Sequence, residues 1–281
     1  MTVRRLTQMF LVCLAFSLNV FAQNQGASFL LQLPGAGSGN TRLLGYLANT
    51  NDLTADVDAT GPSNAYRVIA TPSGSKFYIL NDGNIQILDA ALQTFTVLNG
   101  VPGPFPIAKI TPDGKYLLLG GTNLYLINTQ TNAIVATNLG LTGTLSDVAV
   151  TADSKKAWVL QQFGATPAIT PINLTNLTTG TRLDLPYGAE KLSVSPLGIL
   201  YTSSSGRITE YNPDTLTVVA TLPVIGNPSP LKFSPDGSRA FFLNTTPQIG
   251  ARTVQSFRTA QRDLTEWPPF SFTSSAPVFE D

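Results

Sequence analysis

The chain has 281 residues, only 12% of them charged, with 17 Lys and Arg against 17 Asp and Glu. That balance carries no electrostatic footprint for nucleic acid or for an anionic membrane surface. There is no His and the single cysteine is Cys13, so imidazole and thiolate chemistry are excluded.

The first 22 residues read as an export signal. Arg4 and Arg5 form a basic start, Leu6 to Phe21 is mostly apolar and uncharged, and Val20-Phe21-Ala22 offers a cleavage site. The alternative is a membrane anchor, but the run falls short of the roughly 20 apolar residues that span a bilayer and contains Thr7, Gln8, Ser17 and Asn19. Cleavage after Ala22 leaves 259 residues with no cysteine and an excess of two acidic groups. An exported protein without disulfides and without membrane insertion is the expectation.

Next come three strand signals, Phe29 to Leu33, Arg42 to Leu47 and Leu53 to Ala59. The Gly-rich run Gly35 to Asn40 between the first two resembles a phosphate loop, but no Lys follows it and no helix is predicted, so it reads as a connection.

From residue 71 one tetrapeptide recurs. Thr71-Pro72-Ser73-Gly74, Thr111-Pro112-Asp113-Gly114, Thr151-Ala152-Asp153-Ser154, Ser195-Pro196-Leu197-Gly198 and Ser234-Pro235-Asp236-Gly237 begin 40, 40, 44 and 39 residues apart. Pro presets the second position of a type I turn, Ser or Thr bonds back to the backbone, and Gly suits the fourth position. Each copy separates two apolar runs, such as Asp147 to Val150 and Ala157 to Leu160, which marks a hairpin. A third strand follows in each unit, then a turn opened by Asp89, Asn128, Asn173 or Asn212, then a fourth strand. Those Asx residues read as turn formers and not as a ring of ligands.

A period of 40 to 45 residues with four strands per unit is that of a β-propeller blade. The predicted fold is all-β, a propeller of four-stranded blades within residues 23–281. Asp263 to Phe272 reads as the last outer strand, and Ser274 to Phe279 resembles the lead-in Pro62 to Val68 of the first full repeat. A chain that opens on the second, third and fourth strands and ends on a first strand can close a ring through one composite blade, which removes exposed sheet edges. That count gives six blades. Seven blades, or an open fragment of a longer propeller, are the alternatives.

The repeat resembles the bacterial YVTN-type propeller family, best over Ile110 to Tyr116, Leu126 to Thr129 and Thr131 to Thr137, and more loosely over residues 62–257. The literal YVTN tetrapeptide is absent, and Ala152 and Ser154 replace the Pro and Gly of the third turn. The resemblance implies a bacterial protein of the periplasm, cell surface or medium. It spans surface-layer-like proteins and lactonase-like enzymes, so it leaves function open.

In such a fold, the links into the first strands and the loops between second and third strands gather at one mouth. The candidate ligand-face residues there are Tyr66, Arg67, Asp82, Phe105, Asp147, Gln161, Phe163, Glu190 and Lys191. The preferred reading is a non-catalytic module, a monomer without cofactor or metal, that holds a peptide, a glycan or an envelope protein through its polar and aromatic mouth. The alternative is a lactonase-like or metal-dependent hydrolase in which Asp147 and Glu190, at the starts of adjacent first strands, act as acid and base or hold a cation.

Overall fold

The computed structural model describes residues 27–32, 41–47, 53–59, 67–81, 84–89, 94–164, 166–245 and 252–266. The export signal, Tyr66, Asp82 and the segment 267–281 lie outside them. Among the described residues every regular element is a strand, and the strands form six antiparallel sheets.

Contacts divide the chain into two compact units, Met1–Phe105 and Pro106–Asp281. The first holds a three-stranded sheet, β1 (Ala27–Gln32), β2 (Thr41–Leu47) and β3 (Leu53–Ala59). It also holds a four-stranded sheet in sequence order, β4 (Arg67–Ala70), β5 (Lys76–Leu80), β6 (Ile85–Asp89) and β7 (Thr94–Leu98).

The second unit contains four sheets. The first runs β8 (Ile107–Ile110), β9 (Tyr116–Gly120), β10 (Leu124–Asn128) and β11 (Ala133–Thr137). The next is β12 (Thr144–Val150), β13 (Lys156–Phe163) and β14 (Thr166–Asn173), with two short outer pieces, β15 (Thr178–Thr179) and β16 (Leu183–Asp184). A third comprises β17 (Lys191–Val194), β18 (Leu200–Ser204), β19 (Arg207–Tyr211) and β20 (Val218–Pro223). In the fourth, β21 (Asn227–Pro228) and β22 (Lys232–Phe233) share the partner β23 (Arg239–Thr245), followed by β24 (Arg252–Arg258) and β25 (Leu264–Glu266).

The recurring tetrapeptide makes the same turn five times. The amides of Gly74, Gly114, Ser154, Gly198 and Gly237 donate to the carbonyl three residues earlier, at 2.7–2.9 Å. The hydroxyl at the first position then accepts the amide that opens the second strand. Thr71, Thr111 and Thr151 receive Lys76, Tyr116 and Lys156 in this way, and Ser195 and Ser234 receive Ile199 and Arg239. Where Asp stands third, its carboxylate accepts the hydroxyl proton at 2.6 Å, from Thr111, Thr151 and Ser234. Together with the amide and hydroxyl of Ser238, this holds the Asp236 carboxyl down at about 2.

The second strands sit deepest. Tyr116 to Gly120 and Ala157 to Gln161 are buried throughout, because sheets cover both of their faces. The two-residue period divides each run between two cores. In β13, Ala157 and Val159 join Leu118, Leu126 and Val148, whereas Trp158 and Leu160 meet Leu192, Leu200 and Tyr211. A third core joins Tyr201 and Ile208 to Ala240, Phe242 and Phe257. Successive sheets of the second unit therefore pack face to face, and this is why their second strands read as unbroken apolar runs. The fourth strands β11 and β20 are largely exposed.

The irregular third turn follows the same plan. Ser154 takes φ +59°, the left-handed conformation that glycine adopts at the other four turns. Its Oγ, nearly buried, accepts the Asp113 amide of the preceding turn at 2.9 Å. The side chain thus trades backbone strain for an inter-sheet hydrogen bond. Urea unfolding should show Ser154→Ala destabilised by about 1 kcal/mol, since the strain stays and the inter-sheet hydrogen bond is lost. Ser154→Gly should lose less, because glycine relieves the φ cost. Equal losses in the two variants would mean that relieving φ contributes nothing, and no loss in Ser154→Ala would mean that the hydroxyl contributes nothing.

Candidate functional site

In each sheet of the second unit the first strand begins at one end and finishes at the Ser/Thr turn, so the links and the loops between second and third strands lie at the opposite, mouth end. Within the second unit many polar side chains there hold backbone. Gln161 donates through Nε2 to the Thr142 carbonyl at 2.6 Å and accepts the Thr170 hydroxyl through Oε1. Asn244, ten residues after its turn as Gln161 is after its own, donates to the carbonyl of Ile225. Gln162 reaches the Ala189 carbonyl of the next link at 2.8 Å, and Ser203 reaches that of Ser229 at 3.3 Å.

Asp147 belongs to the same framework. It is buried, with Oδ1 accepting the Val148 amide at 2.8 Å and Oδ2 the Leu192 amide at 2.7 Å. Leu192 lies on β17, the first strand of the following sheet, so the carboxylate joins two sheets. Ser193 repeats the arrangement one sheet on, its Oγ accepting the Leu231 amide at 2.7 Å. Burial pushes the Asp147 carboxyl above its ordinary value, against the opposing pull of the Leu192 amide, Lys109, the Val148 amide and Lys191. Glu190 and Lys191 are exposed at the start of β17. The Glu190 backbone amide donates to the Ser203 carbonyl at 2.9 Å. Among the described residues, no group of three His, Cys, Asp or Glu is placed to hold a metal ion.

Of the remaining sequence candidates, Arg67 is half-buried on β4 and Phe105 is buried, both in the first unit. Phe163 ends β13 half-buried, with the Arg182 guanidinium 4.1 Å from its ring centre. Arg182 also pairs with Asp184 at 2.7 Å.

Three mouth residues escape the sequence reading. Tyr187 stands 43% exposed in the link to β17, with the Arg207 guanidinium 4.6 Å from its ring centre. Ile225 is 76% exposed in the following link. Gly206, beside Arg207, donates its amide to the Gly226 carbonyl at 2.8 Å, which sets the Ile225 link against the Arg207 loop. An exposed aromatic on a proline-containing link was the available signal, at Pro186-Tyr187. Tyrosine and arginine are also the side chains most used as anchors at interfaces.

No protein-family model matches the chain, and no curated protein sequence matches it. Among solved structures, a chain of Kuenenia stuttgartiensis hydrazine synthase superposes with TM-score 0.62 at 19% identity, over 79% of this chain and 69% of that one. The likeness is one of fold. It agrees with an all-β, propeller-like arrangement of four-stranded sheets. No helix among the described residues is long and apolar enough to cross a membrane.

The buried carboxylate has a signature in pH. With its folded-state pKa raised, Asp147 adds stability that is complete below the unfolded carboxyl value, about 4, and is lost as pH rises through the folded value. Asp147→Asn has no proton to lose. The stability of the wild type relative to Asp147→Asn should therefore fall as pH is raised from about 4 towards neutrality. Parallel pH profiles would contradict the assignment.

Proposed function

We propose that the chain is an exported, non-catalytic binding module. It is a six-bladed propeller of YVTN-type repeats, closed by its terminal strands, that presents its mouth to a peptide, a glycan or another envelope protein. The observation that carries this reading is the division of labour at the mouth of the second unit. Asp147, Gln161, Gln162, Ser203 and Asn244 hold backbone amides or carbonyls. Tyr187 with Arg207, Phe163 with Arg182, and Ile225 lie beside them, with Tyr187 and Ile225 well exposed.

A rigid polar framework carrying a few aromatic and guanidinium groups suits recognition, because little conformational entropy is lost when a ligand docks on it. The hydrolase reading finds less support. Asp147 is buried and each of its oxygens already accepts an amide, one of them from the neighbouring sheet, which is the arrangement of a structural clamp.

The test is a glycan array and a random-peptide array probed with residues 23–281, with affinities then measured for whatever is retained. Tyr187→Ala should weaken that binding by roughly tenfold or more, the loss usual at an interface anchor. Unchanged affinity in a Tyr187→Ala/Arg207→Ala variant would remove this face from the account.

A further inference from the structure

Two exposed side chains at the mouth of the second unit, Tyr187 and Ile225, are held out on fixed backbone. Tyr187 stands between Leu185 and Ala189, both buried in the core that Trp158 and Leu200 share, and Gln162 grips the Ala189 carbonyl at 2.8 Å. Its link is pinned at each end. Ile225 follows the buried Val224, whose amide donates to the Gly206 carbonyl at 3.1 Å, while the Gly226 carbonyl accepts the Gly206 amide. Asn244 holds the Ile225 carbonyl. Gly226 takes φ +108°, and a Cβ there would sit 2.5 Å from the Thr245 carbonyl oxygen, so the crossing requires glycine.

The loop between β18 and β19 meets both links. Gly206 bonds to the Ile225 link, and Arg207 sets its guanidinium over the Tyr187 ring. Half-buried in that position, the guanidinium pairs with no acid among the described residues. The neighbouring charges are matched: Arg182 pairs with Asp184, and Glu190 and Lys191 are exposed neighbours of opposite sign. A partly desolvated guanidinium gains more from a carboxylate than an exposed one does, and its planar fork fits both carboxylate oxygens.

The chemistry beside Ile225 narrows the ligand further. Gln162, Ser203 and Asn244 are committed to backbone carbonyls. A sugar ring laid against Ile225 would leave hydroxyls short of partners, whereas an apolar side chain needs none.

On the reading that this mouth is a binding face, we propose that its ligand is an extended protein segment in which a carboxylate stands beside an apolar side chain. The carboxylate pairs with Arg207, and the apolar side chain packs on Tyr187 and Ile225. Because both links are already fixed, the protein loses little freedom when the segment docks.

The experiment is an array of short acetylated and amidated peptides, each with one Glu or Asp beside Leu, Ile or Phe, printed with their Gln or Asn counterparts and with neutral and uronate oligosaccharides, and probed with residues 23–281. We expect the acidic peptides to be retained about tenfold or more over their amide counterparts, by a margin that added salt reduces. Arg207→Glu should transfer the preference to peptides with Lys in place of the acid, and Ile225→Ser should weaken binding while the preference for acid remains. Equal retention of the amide counterparts, or an unchanged preference for acid in an Arg207→Glu variant with a native circular dichroism spectrum, would overturn the proposal. Retention of oligosaccharides alone would overturn it and leave the binding-module reading in place. Retention of neither class would remove both.

Discussion

The second unit depends on a bond that crosses from sheet to sheet. An edge strand leaves alternate amides without a ladder partner, and an amide shielded from water without an acceptor costs about as much as a lost hydrogen bond. Asp147 and Ser193 resolve this at successive first strands by accepting the Leu192 and Leu231 amides. At the turn end Ser154 accepts the Asp113 amide, and Arg262, in the turn between β24 and β25, grips Glu210 of β19 through two bonds of 3.0 Å. These contacts set how one sheet meets the next.

Within each sheet the governing contact is local. A Ser or Thr hydroxyl accepts the amide four or five residues on, and so fixes the register of the first hairpin. Register decides which residues of a second strand face which neighbour, since a slip by one would exchange the faces. The alternation of Ala157 and Val159 with Trp158 and Leu160 between two cores follows from it.

This is why so much of the architecture was legible beforehand. Turn chemistry and strand signals are properties of short stretches, and they place the five hairpins, the apolar run from Ala157 to Leu160 and the Asx turns. Asn128, Asn173 and Asn212 each accept two amides of their own turn, as their position implied. The Gln161 and Phe163 stretch read as a loop but extends β13, because its side chains and backbone find partners across the hairpin that composition cannot show.

The candidate site was less legible for a physical reason. Whether Asp147 is a base or a clamp depends on an amide 45 residues away, and the pairing of Tyr187 with Arg207 depends on two loops meeting in space.

Native-state hydrogen exchange at the Leu192 and Leu231 amides tests the central claim most directly, because both are edge positions whose protection depends on a side chain of the neighbouring sheet. The account predicts that both exchange only with global unfolding of the unit, and that the Leu231 amide loses its protection in Ser193→Ala. Exchange at the rate of an open strand edge in the wild type would contradict it.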